Sequence, residues 1–320
     1  MGSGEAGAVT AGLLLTGPRA WLRRYLLSRL PGVDPASPIQ GKRILITGGS
    51  SGIGEATALA VAERVAVPIL VARRAEELAR VARKVEALGG TAHVYPCDLT
   101  DGPAVDRLVE EVLADVGGVD MLVNNAGRSI RRSISLSYDR MHDFERTMAI
   151  NYFAPVRLIL GLLPQMVERG SGHVVNIVTW GVQVKAPKFA AYISSKTALD
   201  TFSRIVGRET YGAGVTFTNV RLSLVRTDMI GPTHVYRRSP ALSPERAALR
   251  VVRALEDRPI TIDTMAGNLA GIFNVVAPRL SDALSHAASR RFPDSPAAAR
   301  HATDGDATDH DRANHDRATG

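Results

Sequence analysis

The stretch Arg43-Ile44-Leu45-Ile46-Thr47-Gly48-Gly49-Ser50-Ser51-Gly52-Ile53-Gly54 decides the fold of this chain. An apolar run typical of a buried strand ends at Thr47, and a glycine-rich turn and an alanine-rich helical pattern follow. Strand, turn and helix together can hold a pyrophosphate, because the free N–H groups at the start of the helix face the anion. Gly48 allows the tight turn, Gly52 lets the backbone approach the phosphates, and Gly54 lets the helix pack closely. A plain surface turn is the alternative, but the position between strand and helix favours dinucleotide binding.

Length, composition and charge indicate a globular protein that binds small anions. The chain has 320 residues, of which 45% are hydrophobic and 22% charged, and this length fits one large domain with appendages. The formal net charge is +7, but the arginines are scattered through helical segments without an aromatic-basic motif. We therefore expect no nucleic-acid partner. The single cysteine, Cys97, excludes an intrachain disulfide and a multi-cysteine metal site, and we expect no metal.

The sequence favours a cytoplasmic protein, with membrane association as an alternative. No apolar run reaches the roughly 18 residues that a spanning helix needs. Residues 8–17 lack the basic start of a secretory signal. Residues 11–30 combine leucines, Trp21 and several arginines in an amphipathic pattern. That pattern predicts either a helix packed on the domain or a helix that contacts a membrane surface or a partner.

From residue 42 onward, strand and helix patterns alternate as in a parallel sheet. Strands are predicted at 43–47, 68–72, 91–96, 119–123, 172–179 and 215–223. Helices are predicted at 52–65, 75–88, 101–116, 141–169 with a break near Pro155, and 189–211. The predicted fold class is α/β, a doubly wound parallel sheet of the Rossmann-like type with helices on both faces, in a single domain with a helical C-terminal extension.

The alternation ends after residue 223. A helix is predicted at 244–256, a short strand near 259–263 and a further helical stretch to about 291. The last segment has almost no large apolar side chains, so we expect it to be disordered. The predicted segments are an N-terminal arm and linker, a dinucleotide-binding catalytic domain, a substrate lid with the helical extension, and a tail; they cover residues 1–41, 42–230, 231–292 and 293–320.

A tyrosine and a lysine stand four residues apart in Tyr192-Ile193-Ser194-Ser195-Lys196. This spacing puts both side chains on one face of the predicted helix. A cation one turn away favours the phenolate, which lowers the tyrosine pKa from about 10 toward the working range of an acid–base catalyst. A core tyrosine beside a surface lysine is the alternative for this pattern alone. Its position after a dinucleotide loop and a fifth strand favours the catalytic interpretation.

Over about residues 42–230, these motifs resemble the short-chain dehydrogenase/reductase family. The family's Thr-Gly-x-x-x-Gly-x-Gly pattern is matched at 47–54, and its Asn-Asn-Ala-Gly element at 124–127. The resemblance implies that Tyr192 donates a proton and that Lys196 binds the nicotinamide ribose while lowering the tyrosine pKa. It also implies that Asn151 holds a water in the proton relay.

Two positions depart from the family pattern. Thr179 stands where the family has a catalytic serine. Threonine keeps a hydroxyl that can donate to a carbonyl oxygen, although its methyl group restricts the rotamer. Ser223-Leu224 replaces the usual Pro-Gly, but Val225 and Thr227 remain in position to contact the carboxamide. We therefore predict Thr179 as a working member of the catalytic group.

The end of the second predicted strand favours NADP(H) over NAD(H). Members that prefer NAD place an aspartate there, whereas this chain has Val71-Ala72-Arg73-Arg74. Arg73 suits a 2′-phosphate through a charge-assisted contact, and a solvent-facing arginine is the alternative. By the resemblance, the predicted cofactor-binding residues are Thr47, Gly48, Ser50, Ser51, Gly52, Ile53, Gly54, Arg73, Asp98, Leu99, Asn125, Ala126, Gly127, Tyr192, Lys196, Val225 and Thr227.

The segment 124–133 is unusually basic for the carboxyl end of a strand in an open sheet, where ligands bind. Its Gly-Arg-Ser-Ile-Arg-Arg element resembles bacterial long-chain fatty acyl-CoA reductases, and the resemblance extends over about residues 42–290. It implies NADPH-dependent reduction of an acyl thioester to the aldehyde. Basic residues of this segment and of the segment after the sixth strand are predicted to face the CoA phosphates: Arg128, Arg131 and Arg132, then Arg226, Arg237 and Arg238.

Three functions remain open from the sequence. The first is acyl-CoA reduction, and the second is reduction of a ketone on a 3-oxoacyl, steroid or other lipid-like substrate. The third is a catalytically weak NADP-binding regulatory protein, which only Thr179 and the missing Pro-Gly favour. An intact Asn151, Tyr192 and Lys196 argues against the third. We expect a small lipid-like substrate and a homo-oligomer, with peripheral membrane contact as an alternative.

Overall fold

The computed structural model describes residues 36–227 and 241–294. The predicted N-terminal helix at 11–30 lies outside this range, as do Arg237, Arg238 and residues 295–320 of the predicted tail.

Within the described residues, seven strands form one parallel sheet in the order β3-β2-β1-β4-β5-β6-β7. The strands are β1 (Arg43–Thr47), β2 (Val67–Ala72), β3 (His93–Pro96), β4 (Met121–Asn124), β5 (Gly172–Thr179), β6 (Val215–Leu222) and β7 (Thr261–Ile262). The strand order reverses between β1 and β4, and a crevice opens there at the carboxyl ends of the strands. The doubly wound sheet is confirmed.

Helices cover both faces of the sheet. They are α1 (Gly52–Ala62), α2 (Ala75–Ala87), α3 (Gly102–Val116), α4 (Met141–Met148), α5 (Ala154–Glu168), α6 (Gly181–Val184), α7 (Ala190–Glu209), α8 (Pro244–Asp257), α9 (Met265–Val276) and α10 (Pro278–Arg290). Alternate residues of β1 enter opposite cores, as the two-residue period of a strand requires. Ile44 and Ile46 pack with α1 and α8, whereas Leu45 packs with α3 and α5.

The predicted helix 141–169 is interrupted, but not at Pro155. The irregularity is a π-helical segment, Ala149–Phe153, between α4 and α5. Pro155 follows in the first turn of α5, where its missing N–H has no intrahelical partner to lose. Met141–Glu168 is also the one helix of the described residues that is long and apolar enough to cross a membrane, by length and composition only. The sequence predicted no such helix, and here Leu158 and Leu162 of this run are buried in the core.

The C-terminal extension differs from the prediction in two ways. The single stretch predicted to about 291 is two helices, because Pro278 begins α10 and disfavours a helical conformation at Ala277. The tail was predicted to be disordered from 293. Pro293 and Asp294 instead accept hydrogen bonds from the loop after β4, so this segment is ordered to at least Asp294.

Candidate active site

At three positions of the glycine turn after β1, a side chain would be strained or would clash with the backbone. Gly48 and Gly52 have φ angles of +67° and +55°, which L side chains rarely adopt. A Cβ at Gly54 would lie 2.1 Å from the carbonyl oxygen of Gly48. The start of α1 therefore packs directly on the turn, so that turn and helix form a cradle of backbone atoms. This cradle fits the pyrophosphate of a dinucleotide.

Thr47 and Asn125 tie the turn to the neighbouring strand. The Thr47 hydroxyl accepts hydrogen bonds from the backbone N–H groups of Asn125 (3.0 Å) and Ala126 (2.9 Å). The Asn125 amide in turn donates to the Thr47 carbonyl oxygen (2.9 Å). Both residues were predicted to contact the cofactor. In this structure their side chains hold together the two strand ends that flank the crevice, and the cofactor contact stays a prediction.

The segment after β6 forms the opposite wall of the crevice. A Cβ at Gly52 would lie 3.1 Å from the Thr227 methyl carbon, so Thr227 contacts the glycine turn. Val225 is buried and pairs with Leu242 in an isolated parallel bridge. Thr227, which was predicted to contact the cofactor, therefore lies against the glycine turn, and Val225 lies two residues before it.

The residues that follow β2 are exposed arginines. Arg73 is exposed, and its charge contributes to a lowered pKa of Asp98, whose larger causes are hydrogen bonds from the Thr100 N–H and hydroxyl. The Leu99 side chain, by contrast, is buried in the core, which leaves only its backbone for a cofactor. Cys97 packs at the strand end as predicted, and burial raises the pKa of its thiol.

Sequence reasoning missed Arg80 as a support of the turn. From α2, its guanidinium donates to the Ser50 carbonyl oxygen (3.1 Å) and pairs with both carboxylate oxygens of Glu55 (2.7 and 2.8 Å). The hydrogen bonds from Arg80 are the largest cause of a Glu55 pKa near 2. The network therefore fixes the carbonyl at the tip of the turn. No local pattern indicates it, since Arg80 lies 30 positions after Ser50.

Thr179 at the end of β5 reaches the tyrosine of the Tyr-x-x-x-Lys motif on α7. A hydrogen bond joins the Thr179 and Tyr192 hydroxyl groups. The Thr179 oxygen also accepts from the Gly181 N–H (3.1 Å), which fixes its rotamer. The structure therefore places Thr179 beside Tyr192, and its predicted catalytic role stays a prediction.

The pKa of Tyr192 moves in the direction opposite to the prediction. Burial raises it to about 12, and the hydrogen bond with Thr179 only partly opposes the rise. The sequence argument relied on the ammonium group of Lys196. That group is nearly inaccessible and donates to the Ile177 carbonyl oxygen of β5 (2.8 Å), and burial lowers its own pKa to about 8. Desolvation thus outweighs the attraction expected between phenolate and ammonium.

Asn151 lies in the π-helical segment and connects the loop after β4 to α7. Its side-chain oxygen accepts from the Arg128 N–H (2.9 Å), and its amide donates to the Arg128 carbonyl oxygen (2.9 Å) and to the Ser195 hydroxyl (2.9 Å). Ser195 then donates to the Tyr192 carbonyl oxygen (2.7 Å). Ser195 was missed, although its position three residues after Tyr192 puts it on the same helix turn.

Gly127 marks the point where the predicted catalytic residues converge. A Cβ there would lie 2.9 Å from the Asn151 side-chain oxygen and 3.4 Å from the Lys196 nitrogen. Together with the contacts of Tyr192 and Thr179, this brings all four predicted catalytic residues to the carboxyl ends of β4 and β5, next to the glycine turn.

The three arginines predicted to bind substrate have different surroundings. Arg131 donates to the carbonyl oxygens of Phe292 (2.7 Å) and Pro293 (2.9 Å). Arg132 lies 3.6 Å from the buried carboxylate of Asp143. Arg128 is exposed on the loop that Asn151 holds. The structure therefore does not bring the three guanidinium groups to one ligand in this conformation.

The C-terminal residues 292–294 are fastened to the loop after β4 and to the approach to α7. Asp294 accepts from the Ser133 N–H (3.0 Å) and hydroxyl, and Lys188 donates to the Phe292 carbonyl oxygen (2.8 Å). We call this set of contacts the C-terminal latch. Among residues 36–227 and 241–294, no group of three or more His, Cys, Asp or Glu side chains is arranged to hold a metal.

Comparisons with known proteins agree with the fold and the motifs described above. The family model for short chain dehydrogenases matches residues 42–235. A fatty acyl-CoA reductase of Acinetobacter baylyi is 47% identical over 260 residues, covering 81% of this chain and 88% of that protein. A fatty acyl-CoA reductase of Mycobacterium tuberculosis is 45% identical over 277 residues, covering 86% of this chain and 94% of that protein.

A solved structure is similar in fold. It is a 3-oxoacyl-(acyl-carrier-protein) reductase of Agrobacterium tumefaciens with NADP bound, with a TM-score of 0.63 and 28% identity over 68% of this chain and 88% of that one. The parallel sheet, the glycine turn and the Tyr-x-x-x-Lys helix agree with the family match. The chain belongs to the short-chain dehydrogenase family of oxidoreductases.

Proposed function

We propose that this enzyme reduces a fatty acyl-CoA thioester to the aldehyde, with NADPH as the hydride donor. The observation that carries the proposal is the convergence of Asn151 and Lys196 at Gly127, with Thr179 and Tyr192 beside them, at the crevice next to the glycine turn. Two acyl-CoA reductases that are 45–47% identical over most of their length support the choice of a thioester as the substrate.

NADP(H) is the proposed cofactor. The turn at Gly48–Gly54 offers the pyrophosphate cradle, and the exposed Arg73 offers a cation for the 2′-phosphate. The structural relative with NADP bound agrees with this choice. When bound, the cofactor supplies a hydride to the carbonyl carbon; the residues of the chain bind, orient and supply the proton.

Tyr192 is the proposed proton donor. Burial keeps the phenol protonated at neutral pH, so a proton is available for the oxygen of a carbonyl that is being reduced. The approach of the Lys196 ammonium to the bound cofactor would lower the tyrosine pKa toward the working range of a general acid. Thr179 orients that phenol and offers a second hydroxyl to the same oxygen. Hydride on carbon and the proton on oxygen give a hemithioacetal, which collapses to the aldehyde and the free thiol of CoA.

A covalent acyl-enzyme is disfavoured. The one cysteine, Cys97, is buried at the end of β3 with a raised thiol pKa, so a nucleophilic thiolate is not available there. Lys196 and Asn151 have positioning roles in this proposal. Lys196 turns from the Ile177 carbonyl toward the ribose of the bound cofactor, and Asn151 fixes the loop after β4 and holds the relay water.

The proposed substrate contacts come from the arginines of the loop after β4 and from the C-terminal extension. Arg131 and Arg132 already have protein partners, so the exposed Arg128 is the proposed first contact of the CoA phosphates, with the other two as secondary contacts. Residues 231–292 are proposed to cover the acyl chain beside the catalytic unit at 42–230. We further propose a cytoplasmic, homo-oligomeric enzyme that contacts membranes peripherally.

Reduction of a ketone is the competing function. A hydroxyl pair such as Thr179 and Tyr192 serves a ketone oxygen equally well, and one structural relative is a 3-oxoacyl reductase. The test is NADPH oxidation with palmitoyl-CoA, a 3-oxoacyl thioester and a steroid ketone, with Tyr192→Phe as the inactive control. Oxidation with palmitoyl-CoA and accumulation of aldehyde support the proposal. Oxidation only with the 3-oxoacyl thioester or the ketone would overturn it.

A further inference from the structure

Helix α9 exposes an apolar surface that nothing in the described structure covers. Its outward side chains share large apolar character and high exposure: Met265 (80%), Leu269 (61%), Ile272 (61%), Val275 (81%) and Val276 (77%). At about 100° per residue, these positions form one stripe that covers roughly a third of the circumference of the helix. Exposed apolar area of this extent marks an interaction site rather than ordinary surface.

The opposite side of α9 is held firmly. A Cβ at Gly267 would lie 2.4 Å from the side-chain oxygen of Gln183, so the helix packs closely on α6. Asn274 donates to the Gln183 carbonyl oxygen (2.7 Å), and the Gln183 amide donates to Asn268 (2.7 Å). The apolar side of α9 is therefore held facing outward from the part of the domain that the structure describes.

Helix α10 and the residues just after it add exposed apolar side chains and a positive charge balance. Leu280, Leu284 and Phe292 are also about half exposed. Residues 265–292 contain three arginines, Arg279, Arg290 and Arg291, against one acidic residue, Asp282. We define the apolar residues of α9 with Leu280, Leu284 and Phe292 as the α9–α10 face.

We propose that the α9–α10 face binds the surface of an anionic lipid membrane. An exposed apolar helix side, together with three exposed arginines on and just after the adjoining helix, matches the two layers of a membrane interface, acyl chains below and anionic head groups above. The positive balance of residues 265–292 favours an anionic lipid surface over a second copy of this face, which would bring the same charge. The inference locates the membrane contact proposed above, and it rests on the proposed function only for the identity of the substrate.

The position of the α9–α10 face would let a membrane contact serve the proposed reaction. Helix α9 is bonded to Gln183 of α6, which begins two residues after Thr179. The C-terminal latch connects the end of α10 to the loop that carries Arg128. A membrane bound at the α9–α10 face would therefore lie beside the proposed substrate side, where a long-chain thioester enters and a water-insoluble aldehyde leaves.

The test is flotation of the full-length protein with vesicles of phosphatidylglycerol and, separately, of phosphatidylcholine, without substrate or cofactor. The affected variant is Leu269→Asn/Val276→Asn. The matched control is Leu160→Asn/Leu249→Asn, which removes two apolar side chains of similar exposure from α5 and α8. Thermal unfolding and NADPH binding of each variant establish that it is folded.

We expect the wild-type protein and the control to float with the anionic vesicles, and we expect the α9 variant to lose at least about tenfold in affinity. Arg290→Gln/Arg291→Gln should weaken binding mainly at low salt, since exposed charges are screened. Three results would overturn the proposal: no binding by wild type, equal binding by the α9 variant, or loss of an oligomer in that variant with unchanged vesicle binding. Palmitoyl-CoA reduction in detergent, measured separately, reports on the proposed function whatever the vesicles show.

Discussion

The two sides of the crevice are built in different ways. On the nucleotide side the backbone packs on itself so closely that a Cβ added at Gly54 would lie only 2.1 Å from the Gly48 oxygen. On the proposed substrate side, polar side chains join parts of the chain that are far apart in sequence, as in the latch between Ser133 and Asp294, 161 positions apart. The first has no room for an added side chain, whereas the second depends on individual polar contacts. The comparison implies that substitutions on the nucleotide side and in the catalytic group have large effects and that substitutions on the substrate side have small ones.

The largest effect is expected at Tyr192, the proposed proton donor to the reacting carbonyl. Tyr192→Phe removes the proton donor and keeps the ring, so turnover should fall by about 10²–10⁴. NADPH affinity, measured by fluorescence titration, should stay within a few-fold of the parent. Turnover that survives the substitution would mean that another group donates the proton.

The second largest effect is expected at Gly54. Gly54→Ala places a methyl group against the Gly48 carbonyl, and overpacking of this kind costs about 1–3 kcal/mol or more. NADPH affinity should therefore fall by up to about a hundredfold. Gly212→Ala is the matched control, since a Cβ there meets nothing within 4 Å. Equal NADPH affinity of both variants would contradict the rigid cradle.

A substitution of Arg73, also on the nucleotide side, tests the preference for NADPH over NADH. Arg73→Ala should raise the KM for NADPH roughly ten- to a hundredfold, because a charged hydrogen bond contributes about 1.5–3 kcal/mol. The KM for NADH should change little. Arg74→Ala, the neighbouring exposed arginine, is the control and should leave the preference for NADPH intact. A parent enzyme that uses both cofactors equally would remove the basis for this role.

The smallest effects are expected on the substrate side. Arg131→Ala should loosen the latch and speed hydrogen exchange at residues 290–294, with a KM for acyl-CoA changed only a few-fold, since exposed contacts of this kind are weak. Arg128→Ala should leave exchange unchanged and raise the KM for acyl-CoA, more so at low salt. If Arg131→Ala lowered NADPH affinity as strongly as Gly54→Ala, the two sides would not differ as described.

Local patterns were enough to predict the nucleotide side. The alternation of apolar strands with helices predicted the sheet, and glycine spacing predicted the turn, because both depend on residues close in sequence. The spacing of Tyr192 and Lys196 placed them on one helix face for the same reason. The catalytic role of Thr179 was inferred only through the family resemblance, since Thr179 and Tyr192 are brought together by tertiary packing.

What the sequence did not predict depends on side-chain direction and burial. Arg80 supports the turn from another helix, and Arg131 and Arg132 find partners that no local spacing indicates. The predicted shift of the Tyr192 pKa had the wrong direction, because the prediction included the charge of Lys196 but not the desolvation of the phenol. Burial of this kind is known only when the whole fold is known.

The most direct test of the account is the stoichiometry of one reaction, palmitoyl-CoA with NADPH and the wild-type enzyme. Free thiol, aldehyde and oxidised cofactor are measured in the same sample. Hydride addition to the thioester carbon requires that the three appear in equal amounts, and Tyr192→Phe should suppress them together. Cofactor oxidation without release of thiol would contradict the account, because the reduced carbonyl would then lie elsewhere than in the thioester.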